Sequence, residues 1–207
     1  MRARALACLL LVSSCAAPPP VQDRTWFWLG SLQTLDSVQS PNPEAYTLRL
    51  EDGRAAIRAD CNRGSGAVTL DGGRIAFGPL AMTRAFCPPP SRGDEYARLL
   101  QSAERLSVDG MVLRLELKGG AAMFFATDPK ARVALYRCRD QKTLSAVFAG
   151  ETAQVWFEGA HYPLQRERSA SGARYGDGSV VFHTQGVLGT LRKSETVLAQ
   201  HCQIPSR

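Results

Sequence analysis

From residue 25 onward the chain alternates short apolar runs with glycine turns, and this punctuation constrains the fold more than any other feature. The runs 46–50, 67–70 and 111–117 stop at Glu51-Asp52-Gly53, Asp71-Gly72-Gly73 and Gly119-Gly120. Alternation of period two predicts strands with one buried face, closed by tight turns. One stretch differs. Residues 94–106 place Tyr96, Leu99, Leu100, Ala103 and Leu106 at helical spacing, with Asp94 and Glu95 suited to the positive end of a helix. Strands with one amphipathic helix predict an α+β first region.

A chain of 207 residues, 44% hydrophobic and 21% charged, has room for one large domain or two small ones. Thr127-Asp128-Pro129-Lys130 breaks the pattern after the apolar run 121–126, so a boundary is expected there. The first domain then covers 26–128 and the second 135–204. No helical spacing occurs beyond the boundary. The runs 134–138, 144–148, 153–157, 161–164, 180–184, 189–191 and 196–200 alternate between turns. About seven or eight short strands in roughly 70 residues predict an all-β, small antiparallel barrel.

The first residues carry a targeting pattern. Arg2 and Arg4 precede the apolar stretch 6–12, and Ser13 and Ser14 lead to Cys15. A run this short cannot span a bilayer as a mature helix, so 1–14 reads as a cleaved signal peptide. Val12-Ser13-Ser14-Cys15 is similar to a lipobox, in which the cysteine receives lipid. The plainer alternative is an ordinary signal cut nearby, after Ala17, with Cys15 lost or left free. Lipidation is the favoured reading, because acyl chains anchor by burying methylenes. Ala16, in place of Asp, points by resemblance to sorting to the outer membrane, facing the periplasm. Pro18, Pro19 and Pro20 make the segment 15–25 a stiff tether.

Six cysteines occur, at 8, 15, 61, 87, 138 and 202. With Cys8 removed in the signal and Cys15 lipidated, four remain in an oxidising compartment. Three pairings are open. Two domains favour Cys61–Cys87 and Cys138–Cys202, the second joining the first and last strands of the barrel. No CxxC and no Cys/His cluster has metal-ligand spacing, and His161, His183 and His201 lie on separate runs. No metal or cofactor is expected. The net charge of +6 comes from scattered arginines without a basic run or aromatic ladder, which argues against nucleic acid. Neither a Gly-x-Ser-x-Gly elbow nor an HExxH motif is present, and no thiol is left as a nucleophile, so the chain is not read as an enzyme.

Three stretches carry a likeness to a known family over 26–126. They are Trp28-Leu29, the run from Asp60-Cys61-Asn62-Arg63 to Gly66, and the run from Phe77-Gly78-Pro79 through Thr83-Arg84 to Cys87. With these the region resembles the META domain, also called HslJ-like. The resemblance implies a compact α+β domain of exported bacterial proteins with no established reaction. Asn62, Arg63 and Thr83 form either a polar binding patch or, the favoured reading, groups that satisfy the backbone of a disulfide-stapled turn. Gly64 and Gly66 are not followed by Lys-Ser/Thr and start no helix, so a phosphate loop is excluded.

Over 135–204 the likeness rests on Tyr136-Arg137-Cys138, on Ser169-Ala170-Ser171-Gly172-Ala173-Arg174-Tyr175 and on Val181-Phe182-His183-Thr184-Gln185-Gly186. It closes with Thr190-Leu191 and His201-Cys202-Gln203. This region resembles the membrane-bound lysozyme inhibitor of c-type lysozyme (MliC) family. What the resemblance implies is a loop inserted into the lysozyme cleft, donating hydrogen bonds to the two catalytic carboxyl groups. In the family a serine of the Ser-Ala-Ser-Gly motif and a lysine before a glycine do this. By position the serine is Ser171 and the lysine falls on Gln185, which keeps a donor but brings no charge. Ser169 and Arg174 complete the expected contact set, with turn-building roles as the alternative for Ser171 and Arg174. Tyr175 is expected to plug the barrel. His183 stands where the family has an aromatic residue. From Leu135 onward nine Lys/Arg stand against six Asp/Glu, so long-range steering opposes encounter with a cationic lysozyme.

Two functions follow as expectations. The first is an outer-membrane-anchored periplasmic lipoprotein that inhibits c-type lysozyme through the Ser171 loop. The rival is a structural or assembly lipoprotein whose first domain binds an envelope partner.

Overall fold

The computed structural model describes residues 21–32 and 37–205. The signal segment 1–14, the lipidation site Cys15 and Pro18, Pro19 and Pro20 lie outside them.

The first domain contains β1 (Trp26–Leu32), β2 (Ser37–Gln39), β3 (Tyr46–Glu51), β4 (Arg54–Ala59), β5 (Asn62–Asp71), β6 (Arg74–Phe77) and β7 (Ala81–Met82). Helix α1 (Gly93–Gln101) follows, then β8 (Ala103–Asp109), β9 (Val112–Leu117) and β10 (Ala122–Ala126). The strands run in the order β10-β9-β8-β6-β5-β4-β3-β1, and β1 pairs back onto β10; β2 and β7 hang off β1 and β5. The expected α+β layering is therefore corrected. This domain is a largely β, closed antiparallel barrel, and α1 contributes to its core.

The reason lies in the apolar face of α1. Tyr96, Ala97, Leu99 and Leu100 are buried. The Tyr96 ring sits 5.2 Å from that of Trp28 and 5.7 Å from that of Tyr46, so the helix completes an aromatic cluster inside the barrel. Burial pushes the Tyr96 hydroxyl well above its ordinary pKa. Asp94 and Glu95 occupy the first turn as expected, but the helix is shorter than the 94–106 the spacing suggested. Ser102 closes it, its hydroxyl donating to the Leu99 carbonyl at 2.8 Å, and Ala103 and Leu106 belong to β8. Their spacing fits a helix, but their partners lie across the sheet, where Ala103 faces Leu117 and Leu106 faces Leu115.

The second domain is an up-and-down barrel in sequence order: β11 (Arg132–Arg137), β12 (Thr143–Ala149), β13 (Thr152–Phe157), β14 (Ala160–Glu167), β15 (Ala173–Gly176), β16 (Val180–Gln185), β17 (Leu188–Lys193) and β18 (Thr196–Gln203). Strand β15 falls in the stretch read from sequence only as a motif. Tyr136, Leu144, Val155, Leu164, Tyr175, Phe182 and Leu191 fill the interior. The barrel closes through a short β11–β18 pairing, Arg137 opposite Gln203, and the Cys138–Cys202 disulfide fastens the same seam. The second disulfide, Cys61–Cys87, lies in the first domain.

The two barrels share a third apolar cluster. Val112, Phe124 and Ala126 from the first meet Val133, Leu135, Val147 and Ala149 from the second. This explains why β10 is buried at every position: Met123 and Phe125 face their own core while Ala122, Phe124 and Ala126 face the neighbour. A strand covered on both faces loses its polar alternation. At the edge of the cluster the Trp156 and His161 rings stack at 4.7 Å, and the Arg114 guanidinium lies 5.8 Å from the Trp156 ring. His161 Nε2 is 2.7 Å from Gln154 Oε1, and Gln154 donates to Asp109 of the first barrel at 3.4 Å.

Candidate functional site

Consecutive strands of the second barrel are antiparallel, so the β12–β13, β14–β15 and β16–β17 turns lie at one end, together with the start of β11. Residues 168–172 form the β14–β15 turn there. Gly172 has a φ of +65°, and a Cβ on it would stand 2.1 Å from the Thr184 carbonyl oxygen, so only glycine fits. The turn is thereby pressed against β16, beside Gln185.

Two side chains hold the turn by its backbone. Ser169 Oγ donates to the Ser171 carbonyl at 2.6 Å, and His183 Nε2 reaches the same oxygen at 2.9 Å, so that ring nitrogen carries the proton. The Ser171 carbonyl is thus engaged twice, while its own hydroxyl takes no part in these bonds. The residue is exposed, and among the described residues the hydroxyl has no hydrogen-bond partner. Gln185, also exposed, ends β16 before Gly186. The structure thus brings Ser169, Ser171 and Gln185 to one barrel end.

Arg174 is placed differently. It lies opposite Glu167 across β14 and β15, and its Nε donates to Glu167 Oε2 at 2.6 Å. Its charge is spent on a cross-strand pair. Arg168, by contrast, is exposed, lines the same small groove as Ser169 and Gly172, and has no carboxylate within ion-pair distance among the described residues. Sequence reasoning missed both Arg168 and His183. The signal for His183 was its place at a usually aromatic position. At the turn of β16 into β17, Val187 and Leu188 are 56% and 52% exposed, which leaves an apolar tip beside the polar turn.

The first barrel uses its polar motif inwardly. Asn62 Oδ1 accepts from Thr83 Oγ1 and from the Ala85 N–H, each at 2.8 Å, while its Nδ2 donates to the Ala85 carbonyl at 2.9 Å. Thr83 Oγ1 accepts from the Arg63 N–H at 3.0 Å. These bonds stitch residues 83–87 to the start of β5 around the Cys61–Cys87 disulfide. Asn62 and Thr83 are structural. Phe86 of the same loop is 88% exposed.

The fold and this site define two β-barrels packed side by side, one disulfide-closed and presenting a preformed polar turn. The family comparisons agree with that division. The META domain model matches residues 20–130, and the model of the membrane-bound lysozyme-inhibitor of c-type lysozyme, MliC, matches 136–199. The chain belongs to the META domain family and carries an MliC domain after it. Two solved structures are similar to it. One is the NMR structure of a protein from Burkholderia xenovorans, 23% identical, covering 58% of this chain and 97% of that one with a TM-score of 0.45. The other is the crystal structure of a DUF4847 family protein from Bacteroides vulgatus, 15% identical, covering 54% and 96%, with a TM-score of 0.43. No curated protein matches the chain.

Proposed function

We propose that the chain is an envelope lipoprotein, acylated on Cys15 and held at the outer membrane facing the periplasm, whose second barrel inhibits c-type lysozyme. The observation that carries this reading is the Ser171 turn in a domain matched by the MliC family: the residue is exposed, its hydroxyl has no hydrogen-bond partner among the described residues, and its backbone is held by Ser169 and His183. A turn ordered before binding loses little conformational freedom on docking. Ser171 donates to one carboxyl group of the lysozyme cleft and the Gln185 amide to the other.

Arg168 supplies the positive charge that Gln185 lacks. It is the free cation of the turn, whereas Arg174 is neutralised by Glu167. Val187 and Leu188 add apolar contact at the rim. Ser169 acts behind the contact by holding the Ser171 carbonyl, and Arg174 by bracing β14 to β15. The role needs no catalysis by the chain itself; it withholds the two carboxyl groups from the sugar polymer.

The test is residual activity of a c-type lysozyme on cell-wall substrate as purified protein is added. Activity falling to near zero around an equimolar ratio is expected. Full activity at large molar excess overturns the proposal.

A further inference from the structure

A groove of about 680 Å³ runs along the junction of the two barrels to the turn-bearing end of the second. Its size is in the range of small-molecule sites. Lys130, Arg132 and Arg166 line it, and no aspartate or glutamate does among the described residues. The two arginines are held over a paired aromatic floor. The Arg132 guanidinium lies 5.9 Å from the centre of the Phe148 ring, that of Arg166 lies 5.8 Å from Tyr175, and the two rings are 5.5 Å apart. Arg166 also donates to the Tyr175 hydroxyl at 3.4 Å.

These cations are poorly compensated. Arg132 has no ion pair among the described residues, and the contact of Arg166 with Glu151, at 3.7 Å, involves a carboxylate that is 81% exposed and therefore screened. Ser40 also lines the groove, and among the described residues its buried hydroxyl has no hydrogen-bond partner. Val133 and Ile204 continue the lining with apolar surface.

We propose that this groove binds an anionic amphiphile, with its carboxylate or phosphate head between the Arg132 and Arg166 guanidiniums and its apolar part along Phe148, Val133 and Ile204. Guanidinium groups match both heads through paired N–H donors. The inference stands on the groove alone and does not depend on lysozyme inhibition. A free fatty carboxylate and a lipid phosphate headgroup present the same chemistry, and the two probes below separate them.

The full chain carrying Cys15→Ser, which cannot be acylated there, is titrated calorimetrically with dodecanoate, dodecyl phosphate and neutral dodecyl maltoside, each below its micelle concentration. Both anions are expected to bind one to one, and the maltoside at least about tenfold more weakly. Arg132→Gln and Arg166→Gln, each melting like the parent, should each weaken anion binding about tenfold. Tighter dodecanoate binding assigns the site to free carboxylates, and tighter dodecyl phosphate binding assigns it to phosphate headgroups. Equal affinity for the neutral probe, or unchanged anion affinity in whichever variant folds, overturns the proposal.

Discussion

The two barrels treat their polar turns in opposite ways. In the first, Asn62 and Thr83 direct their side chains at their own loop, and the hydrogen-bonding capacity of the motif is consumed in joining residues 83–87 to β5. In the second, Ser169 and His183 take hold of a backbone carbonyl and leave the Ser171 hydroxyl unused. A polar motif that satisfies itself stabilises a fold; one that orders a backbone while leaving a donor free is ready for a partner. The cores differ likewise. The wall strands of both barrels follow chain order, but the first adds β2 and β7 as side branches and takes one face of a helix and an aromatic cluster into its core, whereas the second is fastened at its seam by Cys138–Cys202.

Four variants break or sharpen this comparison. Phe124 reaches from the first barrel to Trp156 of the second, with ring centroids 5.2 Å apart. Phe124→Ala should cost about 3–5 kcal/mol and separate the unfolding of the two barrels into two urea transitions. One unshifted transition would show that the Phe124 contact does not couple the barrels. Asn62→Ala should lower stability by about 1–3 kcal/mol, read from the melting of the first barrel, because the Ala85 N–H and the Thr83 hydroxyl lose their acceptor. Lysozyme inhibition should stay unchanged. If Asn62→Ala weakened inhibition without lowering stability, the division of labour between the barrels would be wrong.

The remaining two effects are smaller. Gln185→Lys should tighten inhibition about tenfold with no change in melting, since an ionised donor strengthens a bond to carboxylate. No gain would mean the turn docks without using position 185. At the junction, burial holds His161 below its ordinary pKa; Asp109 opposes this and Arg114 adds to it. The folded protein thus resists protonation that the unfolded chain accepts. The associated stability is complete above about pH 6.5 and declines as acid takes the pH down through the lower folded value. His161→Asn should flatten this part of the stability profile in denaturant titrations run from pH 7.5 to 5. An equally steep profile in the variant would place the acid sensitivity elsewhere.

Much of the architecture was legible because period-two alternation is local. The runs ending at Gly53 and Gly73 are strands, as are the seven predicted beyond residue 130. Closure of the first barrel was not legible, because it depends on β1 meeting β10 from the far end of the domain, which no local window reports. Ala103 and Leu106 misled because their spacing suits a helix while their partners, Leu117 and Leu115, lie across the sheet. Strand β15 escaped because four residues between Gly172 and Asp177 are too few to display a period. The barrel–barrel contact did leave a trace, in the unbroken apolar run Ala122–Ala126. In the candidate site, Ser171 and Gln185 were nominated by the family resemblance, and the fold places both at one barrel end. The grip of His183 on the Ser171 carbonyl and the pairing of Arg174 with Glu167 depend on strand register and needed the fold.

The central claim is that the Ser171 hydroxyl binds the cleft of a c-type lysozyme. Calorimetric titration of a c-type lysozyme with the parent and with Ser171→Ala tests it most directly. The predicted result is a one-to-one complex for the parent, with binding weakened by about 1.5–3 kcal/mol, tenfold or more, in a variant that melts like the parent. Equal affinities for the two proteins, or no complex with the parent, would contradict it.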